Sequence, residues 1–169
     1  MPESVNSDAA IDANAAWPLF RGNPEATGVA SSTLPSELSE IWKFEVGKNG
    51  GFKSSPVIVR NQTDQRTTVY IADLDGKIYS LDLATGQKNW DYQAGISIEA
   101  SPAYHQGKIF IGDVDFNFYC LDEAGELIWK RELGAEIVGA ANFFDDGVLV
   151  GGQDAKLYFL NQNTGGYVQ

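Results

Sequence analysis

Residues 69 to 90 read Val69-Tyr70-Ile71-Ala72-Asp73-Leu74-Asp75-Gly76-Lys77-Ile78-Tyr79-Ser80-Leu81-Asp82-Leu83-Ala84-Thr85-Gly86-Gln87-Lys88-Asn89-Trp90, and the same pattern returns twice further along the chain. Tyr79, Tyr119 and Tyr158 align, as do Leu81, Leu121 and Leu160, and Asp75, Asp115 and Asp154. A fixed period of about 40 residues is the signature of a repeat architecture. Within the first copy, two runs of alternating apolar residues flank Asp75-Gly76, a pair that accepts the positive φ angles of a tight hairpin. A second turn follows at once, where the Asp82 carboxylate can accept backbone N–H bonds and Gly86 supplies a permissive backbone. A third strand leaves near Trp90. With the upstream Ser54-Ser55-Pro56-Val57-Ile58-Val59, the unit becomes a four-stranded antiparallel meander of the size of one propeller blade.

The segment Ser80 to Trp90 resembles the tryptophan-docking motif of the β-propeller repeats named after pyrroloquinoline quinone (PQQ), in which Ala-x-Asp-x-x-Thr-Gly-x-x-x-Trp is typical; Ser80 stands in place of Ala. The second copy carries Cys120, Asp122, Gly125 and Trp129, with one residue fewer in the turn and no Thr. In the third, Phe159, Asn161, Thr164 and Gly165 keep the pattern and Gln169 takes the tryptophan position. Trp17-Pro18-Leu19-Phe20-Arg21-Gly22-Asn23-Pro24 and Thr27-Gly28 are similar to the lead-in of such proteins, so the resemblance spans roughly residues 17 to 169. It implies an all-β fold, a partial β-propeller of about three four-stranded blades. It also implies that Asp82, Thr85, Gly86, Trp90, Asp122, Gly125, Trp129 and Trp42 form a structural docking motif, with the indoles packed between neighbouring blades.

Composition bounds the remaining possibilities. A chain of 169 residues suits one domain with a sizeable core, and 43% hydrophobic residues are too many for a disordered chain. The net charge of −11 and the absence of any Lys/Arg cluster disfavour nucleic acid and anionic lipid as partners. One cysteine cannot form an internal disulfide; Cys120 falls on a strand expected to be buried and reads as a small hydrophobe. Met1 to Ala16 are polar, acidic and Ala-rich, without the basic start and apolar run of a signal peptide, and are expected to be a disordered tail. As written, the chain is expected to be cytoplasmic; a start lying upstream would make it periplasmic.

The expected organisation is an irregular lead-in over residues 17–38, pinned by Trp17 and Phe20, followed by repeats over 39–169. Ser39 to Val46 is expected to be an outer blade strand that precedes any blade. Blade one takes strands near 54–60, 68–73, 77–83 and 88–93. Blade two takes about 99–105, 108–113, 117–122 and 127–132. Blade three takes about 137–144, 147–152 and 156–161, and lacks a fourth strand, which the N-terminal strand could supply. Asn61 to Thr67 is a polar hairpin loop, and its Asn61-Gln62-Thr63 is formally a glycosylation sequon.

Catalytic chemistry finds little footing. Asp73-x-Asp75-Gly76 and Asp113-x-Asp115-x-Asn117 suggest calcium, but the twelfth positions hold Ala84 and Ala124 where a calcium loop needs a bidentate Glu. Turns are the better reading. His105, the sole histidine, has no nucleophile of recognisable context and receives no role. Quinone-dependent alcohol dehydrogenases share the repeat; those that resemble it most fully add a calcium ion, a catalytic Asp and often an adjacent cysteine pair, which this chain does not have. The expectation is therefore a non-catalytic module with no cofactor and no metal. Its resemblance to BamB-like assembly factors implies protein partners, met through blade edges and the loops at the mouth of the ring. A fragment of a PQQ-dependent quinoprotein oxidoreductase is the alternative. Because the first and last strands are left unmatched, either a symmetric homodimer or a piece of a longer propeller is expected.

Overall fold

The computed structural model describes residues 16–30, 36–47 and 50–168, and the tail expected over residues 1–16 lies almost wholly outside them. Its eleven described strands form three antiparallel sheets. Blade one contains β1 (Val57–Arg60), β2 (Thr67–Ala72), β3 (Lys77–Asp82) and β4 (Lys88–Gln93), hydrogen-bonded in that order. Blade two repeats it with β5 (Ala103–His105), β6 (Lys108–Gly112), β7 (Asn117–Asp122) and β8 (Leu127–Glu132). Blade three has β9 (Asn142–Phe144), β10 (Gly147–Gly151) and β11 (Leu157–Asn161). The fold is that of a partial propeller, all β, as the repeat pattern predicts.

Both faces of each inner strand are apolar, because radial stacking hides both. In β7, Phe118 and Cys120 face the core shared with blade three, while Tyr119 and Leu121 face the core shared with blade one. The alternation of the sequence is thus a sorting of side chains between two seams. The turn between the second and third strands of every blade places one residue at positive φ: Gly76 (78°), Phe116 (68°) and Ala155 (60°). Glycine takes that conformation freely, and the other two residues are forced into it by the hairpin.

Four expectations are corrected. The first strand of each blade starts later than predicted, at Val57, Ala103 and Asn142. Pro56 and Pro102 have no N–H to give to a ladder, and the Ser54 hydroxyl takes over the pairing, accepting from Ala72 N–H (3.1 Å) and donating to Ala72 C=O (2.7 Å). Ser39 to Val46 is not a strand: Trp42, Phe44 and Val46 lie over blade one by their side chains, but the segment pairs with no sheet among the described residues. Blade three does begin a fourth strand, because Val168 N–H bonds Phe159 C=O and Tyr167 forms a bridge with Leu160. Finally, Leu19 and not Phe20 anchors the lead-in. Leu19 is buried in the core between blades two and three, whereas Phe20 is half-exposed.

The lead-in is a strap across the first strands of all three blades. Trp17 exchanges two backbone hydrogen bonds with Ile58 of β1 (2.6 and 3.0 Å), Pro18 C=O accepts from Tyr104 N–H of β5 (2.8 Å), and Pro24 C=O accepts from the Asn142 amide of β9 (3.0 Å). Through Trp17, the strap covers the otherwise unpaired edge of β1.

Candidate functional site

The residues singled out by the repeat converge on the seams between blades. Each tryptophan reaches from one blade to the turn of the next. Trp90 Nε1–H donates to Glu123 C=O (2.9 Å) and Trp129 Nε1–H to Gln162 C=O (3.0 Å). Trp42, from the segment ahead of blade one, makes the same bond to Leu83 C=O (2.7 Å). Each indole lies on a turn glycine. A Cβ built on Gly86, Gly125 or Gly165 would come within 2.6–2.7 Å of Trp42, Trp90 or Trp129, respectively, and all three glycines have positive φ. Two independent demands, backbone conformation and room for a ring, therefore exclude a side chain there.

A carboxylate or amide builds the turn under each ring. Asp82 Oδ1 accepts from Thr85 N–H and Thr85 Oγ1–H, both at 2.9 Å. Asp122 Oδ1 accepts from Ala124 N–H (2.9 Å) and Glu126 N–H (2.8 Å), which explains how the shorter second turn closes without a Thr. Asn161 does the same for Asn163 and Thr164. Across the sheet from the tryptophans stand small residues, Ser80 opposite Trp90 and Cys120 opposite Trp129. Cys120 is fully buried, and burial pushes its thiol up to about 12, far from the thiolate form.

Sequence reading took the other aspartates for turn formers and missed their second role. Asp73 Oδ1 accepts the N–H groups of Asp75 (3.0 Å) and Lys77 (2.9 Å), and its Oδ2 accepts the Tyr79 hydroxyl (2.7 Å). Asp113 repeats this with Asp115, Asn117 and Tyr119, adding the Asn117 amide. Both carboxylates are essentially inaccessible, at 1% and 0% exposure. Burial, the adjoining aspartate's hydrogen bond and its charge all push the phenols of Tyr79 and Tyr119 well above the usual tyrosine range. The recurrence of Asp six residues before Tyr in two copies was the available signal.

Glu123 is a second missed residue. Its carboxylate accepts from Gln62 N–H (2.6 Å), Thr63 N–H (2.8 Å), Thr63 Oγ1–H (2.5 Å) and the Tyr104 hydroxyl (2.6 Å), tying the blade-one loop to blade two. Burial works against its charge, yet these donors outweigh it and hold the carboxyl below the usual range. Asn61 of the sequon is buried, with its Oδ1 accepting from Tyr70 O–H (3.0 Å). His105 stacks on Phe143 across the seam between blades two and three, with centroids 4.4 Å apart. Burial and then Lys108 lower its pKa.

Each end of the stack leaves an apolar face. Phe144 and Leu157 of blade three are both 68% exposed, and Phe52, before blade one, is 40% exposed. Among the described residues there is no group of three or more His, Cys, Asp or Glu able to hold a metal, and no helix is long and apolar enough to cross a membrane.

With this geometry in view, the similarities to known proteins fall into place. The family model described as outer membrane protein assembly factor BamB matches residues 74–167, more than half of the chain. An outer membrane protein assembly factor BamB of Nitrosomonas eutropha is 26% identical over 141 residues, covering 83% of this chain and 33% of its own length. A 1-butanol dehydrogenase (cytochrome c) of Thauera butanivorans is 22% identical over 138 residues, covering 71% of this chain and 19% of its own. Among solved structures, a europium-containing methanol dehydrogenase superposes with a TM-score of 0.73 at 23% identity, over 92% of this chain and 31% of that one. That likeness shows the fold. The chain spans about a third of the length of the curated BamB relatives it matches.

Proposed function

This chain belongs to the family described as outer membrane protein assembly factor BamB, and from that membership we propose that it is a non-catalytic propeller module that binds protein partners. The family description points to outer-membrane protein assembly as the setting. Recognition would run through blade faces, blade edges and the loops at the ends of the sheets.

One observation carries this reading. The polar side chains that recur from blade to blade are already engaged within the fold: Asp73 and Asp113 by turn amides and tyrosine hydroxyls, Asp82, Asp122 and Asn161 by turn donors beneath the indoles. Exposed instead are large apolar side chains such as Phe144, Leu157 and Phe52, the groups that make protein contacts.

A part of a quinoprotein oxidoreductase is the second reading, favoured by the superposition on methanol dehydrogenase over nearly the whole chain. Two observations support the binding-module reading over it. Both oxygens of Asp73 and of Asp113 are bonded to protein donors, and the buried Cys120 stands without a neighbouring cysteine. Titrating the purified chain with PQQ in the presence of calcium, while following the quinone absorbance, separates the two. The binding-module reading expects no saturable shift; a saturable shift would favour the oxidoreductase.

A further inference from the structure

In a chain built of repeats, a side chain that recurs is explained by the fold, and departures become informative where several fall in one place. The turns after the second strand of each blade read Asp73-Leu74-Asp75-Gly76, Asp113-Val114-Asp115-Phe116 and Gly152-Gln153-Asp154-Ala155. Beside them run the connections that carry Gly51, Ser97 and Glu136, whose carbonyls accept from Leu74, Val114 and Gln153 N–H at 2.9, 3.2 and 3.1 Å. Phe116 therefore stands where the other blades have Gly and Ala, Glu136 where they have Gly and Ser, and Gln153 where they have Leu and Val. These three departures, together with Gly134, Ala135 and Asp154, line one cleft of about 540 Å³ at the seam between blades two and three. Every lining residue comes from these two blades or the connection between them, so the cleft is formed whatever adjoins their outer faces.

Small residues open it. At the seam between blades one and two, the Asp113 carboxylate lies against Gly95, where a Cβ would fall 2.3 Å from Asp113 Oδ2, and Ile96 follows that glycine. At the next seam Gly152 and Ala135 take the places of Asp113 and Ile96. One wall of the resulting space is the Phe116 ring, 42% exposed. Its turn is pinned from behind, since Phe116 C=O accepts from Leu133 N–H at 2.7 Å. Of the two lining carboxylates, Asp154 is already engaged by Tyr158 O–H and Lys156. Glu136 is exposed and paired with no cation among the described residues, and Asp115, next to the ring, is exposed as well.

We infer that this cleft receives an arginine side chain of a protein partner, its guanidinium flat on the Phe116 ring and its N–H edge on the Glu136 carboxylate. A planar cation with several donors satisfies an aromatic face and a carboxylate at once, which the compact ammonium of lysine does less well. The net charge of −11 draws a basic segment toward the site, and added salt weakens the contact. The inference rests on the reading of the chain as a protein-binding module and names the side chain that one part of it takes.

The test is a titration of the isotope-labelled chain with the capped peptide N-acetyl-Gly-Arg-Gly-amide, followed by amide NMR spectra, against its citrulline counterpart, which keeps the shape and loses the charge. Saturable shifts are expected at the amides of residues 114–116, 134–136 and 152–155 with the arginine peptide and not with the citrulline one. Phe116→Gly gives the turn the residue that blade one carries there, and Glu136→Gln changes an exposed side chain; the same spectra check that both variants keep the fold. Each is expected to weaken the arginine peptide roughly two- to fivefold, the size of one exposed cation–π contact or ion pair. No saturable shift at the cleft, equal binding of the citrulline peptide, or an affinity indifferent to both substitutions would overturn the inference. The quinone titration reads the module reading separately: if it stays flat while the peptide fails to bind, the arginine cleft falls and the binding-module reading stands.

Discussion

Truncating Trp129 to alanine tests the docking of blades most sharply. Trp129 is 9% exposed, its ring lies on Gly165, and it packs against Phe110 and Phe118 at centroid distances of 6.0 and 5.9 Å. Its Nε1–H also satisfies the Gln162 carbonyl at 3.0 Å. Removing a large buried aromatic costs about 3–5 kcal/mol, and leaving a buried carbonyl without its donor adds about 1 kcal/mol or more. Against a total stability of roughly 5–15 kcal/mol, the loss is a large fraction. With a urea slope of about 2 kcal/mol per molar, the midpoint should fall by about 2 M, read by far-ultraviolet circular dichroism because the change removes a fluorophore. Trp90 and Trp42 are only partly buried, so their alanine variants should fall less, and Trp17→Ala in the strap less again. Trp129→Phe, which keeps most of the apolar area and loses the donor, belongs between wild type and Trp129→Ala. Equal shifts for Trp129→Ala and Trp17→Ala would refute the docking argument.

Other consequences are open to the same kind of measurement. Gly125→Ala should cost roughly 2–4 kcal/mol, combining a left-handed backbone with overpacking against Trp90, whereas Gly139→Ala, with nothing within 4 Å of the added carbon, should be near neutral in urea denaturation. Phe116→Gly should raise stability by about 1 kcal/mol, because it relieves a positive φ at an exposed ring; a lower midpoint would contradict that. Glu123 has a folded pKa below its unfolded one, so its contribution is complete above the unfolded value and is lost as pH falls through the folded one. Glu123→Gln should therefore lower stability at neutral pH and flatten the acid limb of the stability curve, and an unchanged limb would count against the clamp. Calcium at millimolar concentration should leave the melting temperature where excess EDTA leaves it, since only a ligand of the native state raises it; a rise of several degrees would show that an aspartate cluster binds the ion.

The strands were legible in the sequence because three copies vote on each position. Asp75-Gly76, Asp82, Thr85-Gly86 and Trp90 are punctuation that recurs, and the ends of β4, β7 and β8 follow from it to within a residue or so. The hydrogen-bonding roles of Asp73 and Glu123 were hidden for opposite physical reasons. Asp73 and Asp113 look like any turn aspartate until the hairpin folds Tyr79 and Tyr119 back over them. Glu123 has no repeat counterpart, since its register holds Leu83 in one blade and Gln162 in the other, and three of its four donors come from the blade-one loop some sixty residues away. Leu19 was passed over for Phe20 because periodicity fails in an irregular strap, where tertiary contact alone decides which side chain turns inward.

Blade three shows how the repeat keeps a function while moving the residue that performs it. Register puts Gly152 where Asp73 and Asp113 stand, so the acceptor for the third tyrosine ought to be lost. Instead, Asp154 Oδ2 accepts the Tyr158 hydroxyl at 2.6 Å, two positions closer in sequence than in the other blades. Gly152 makes the substitution workable, because a Cβ there would lie 2.7 Å from the Asp154 carboxylate. The relocated carboxylate also meets Lys156 at 2.8 Å, which with the tyrosine holds it ionised below the usual range. Restoring only half of the pattern of the other two blades, as in Gly152→Asp, would set two carboxylates against one hydroxyl. The tyrosine–carboxylate bond is thus what the fold requires of each blade, and the identity of the aspartate that supplies it is free to drift as long as a glycine yields the space.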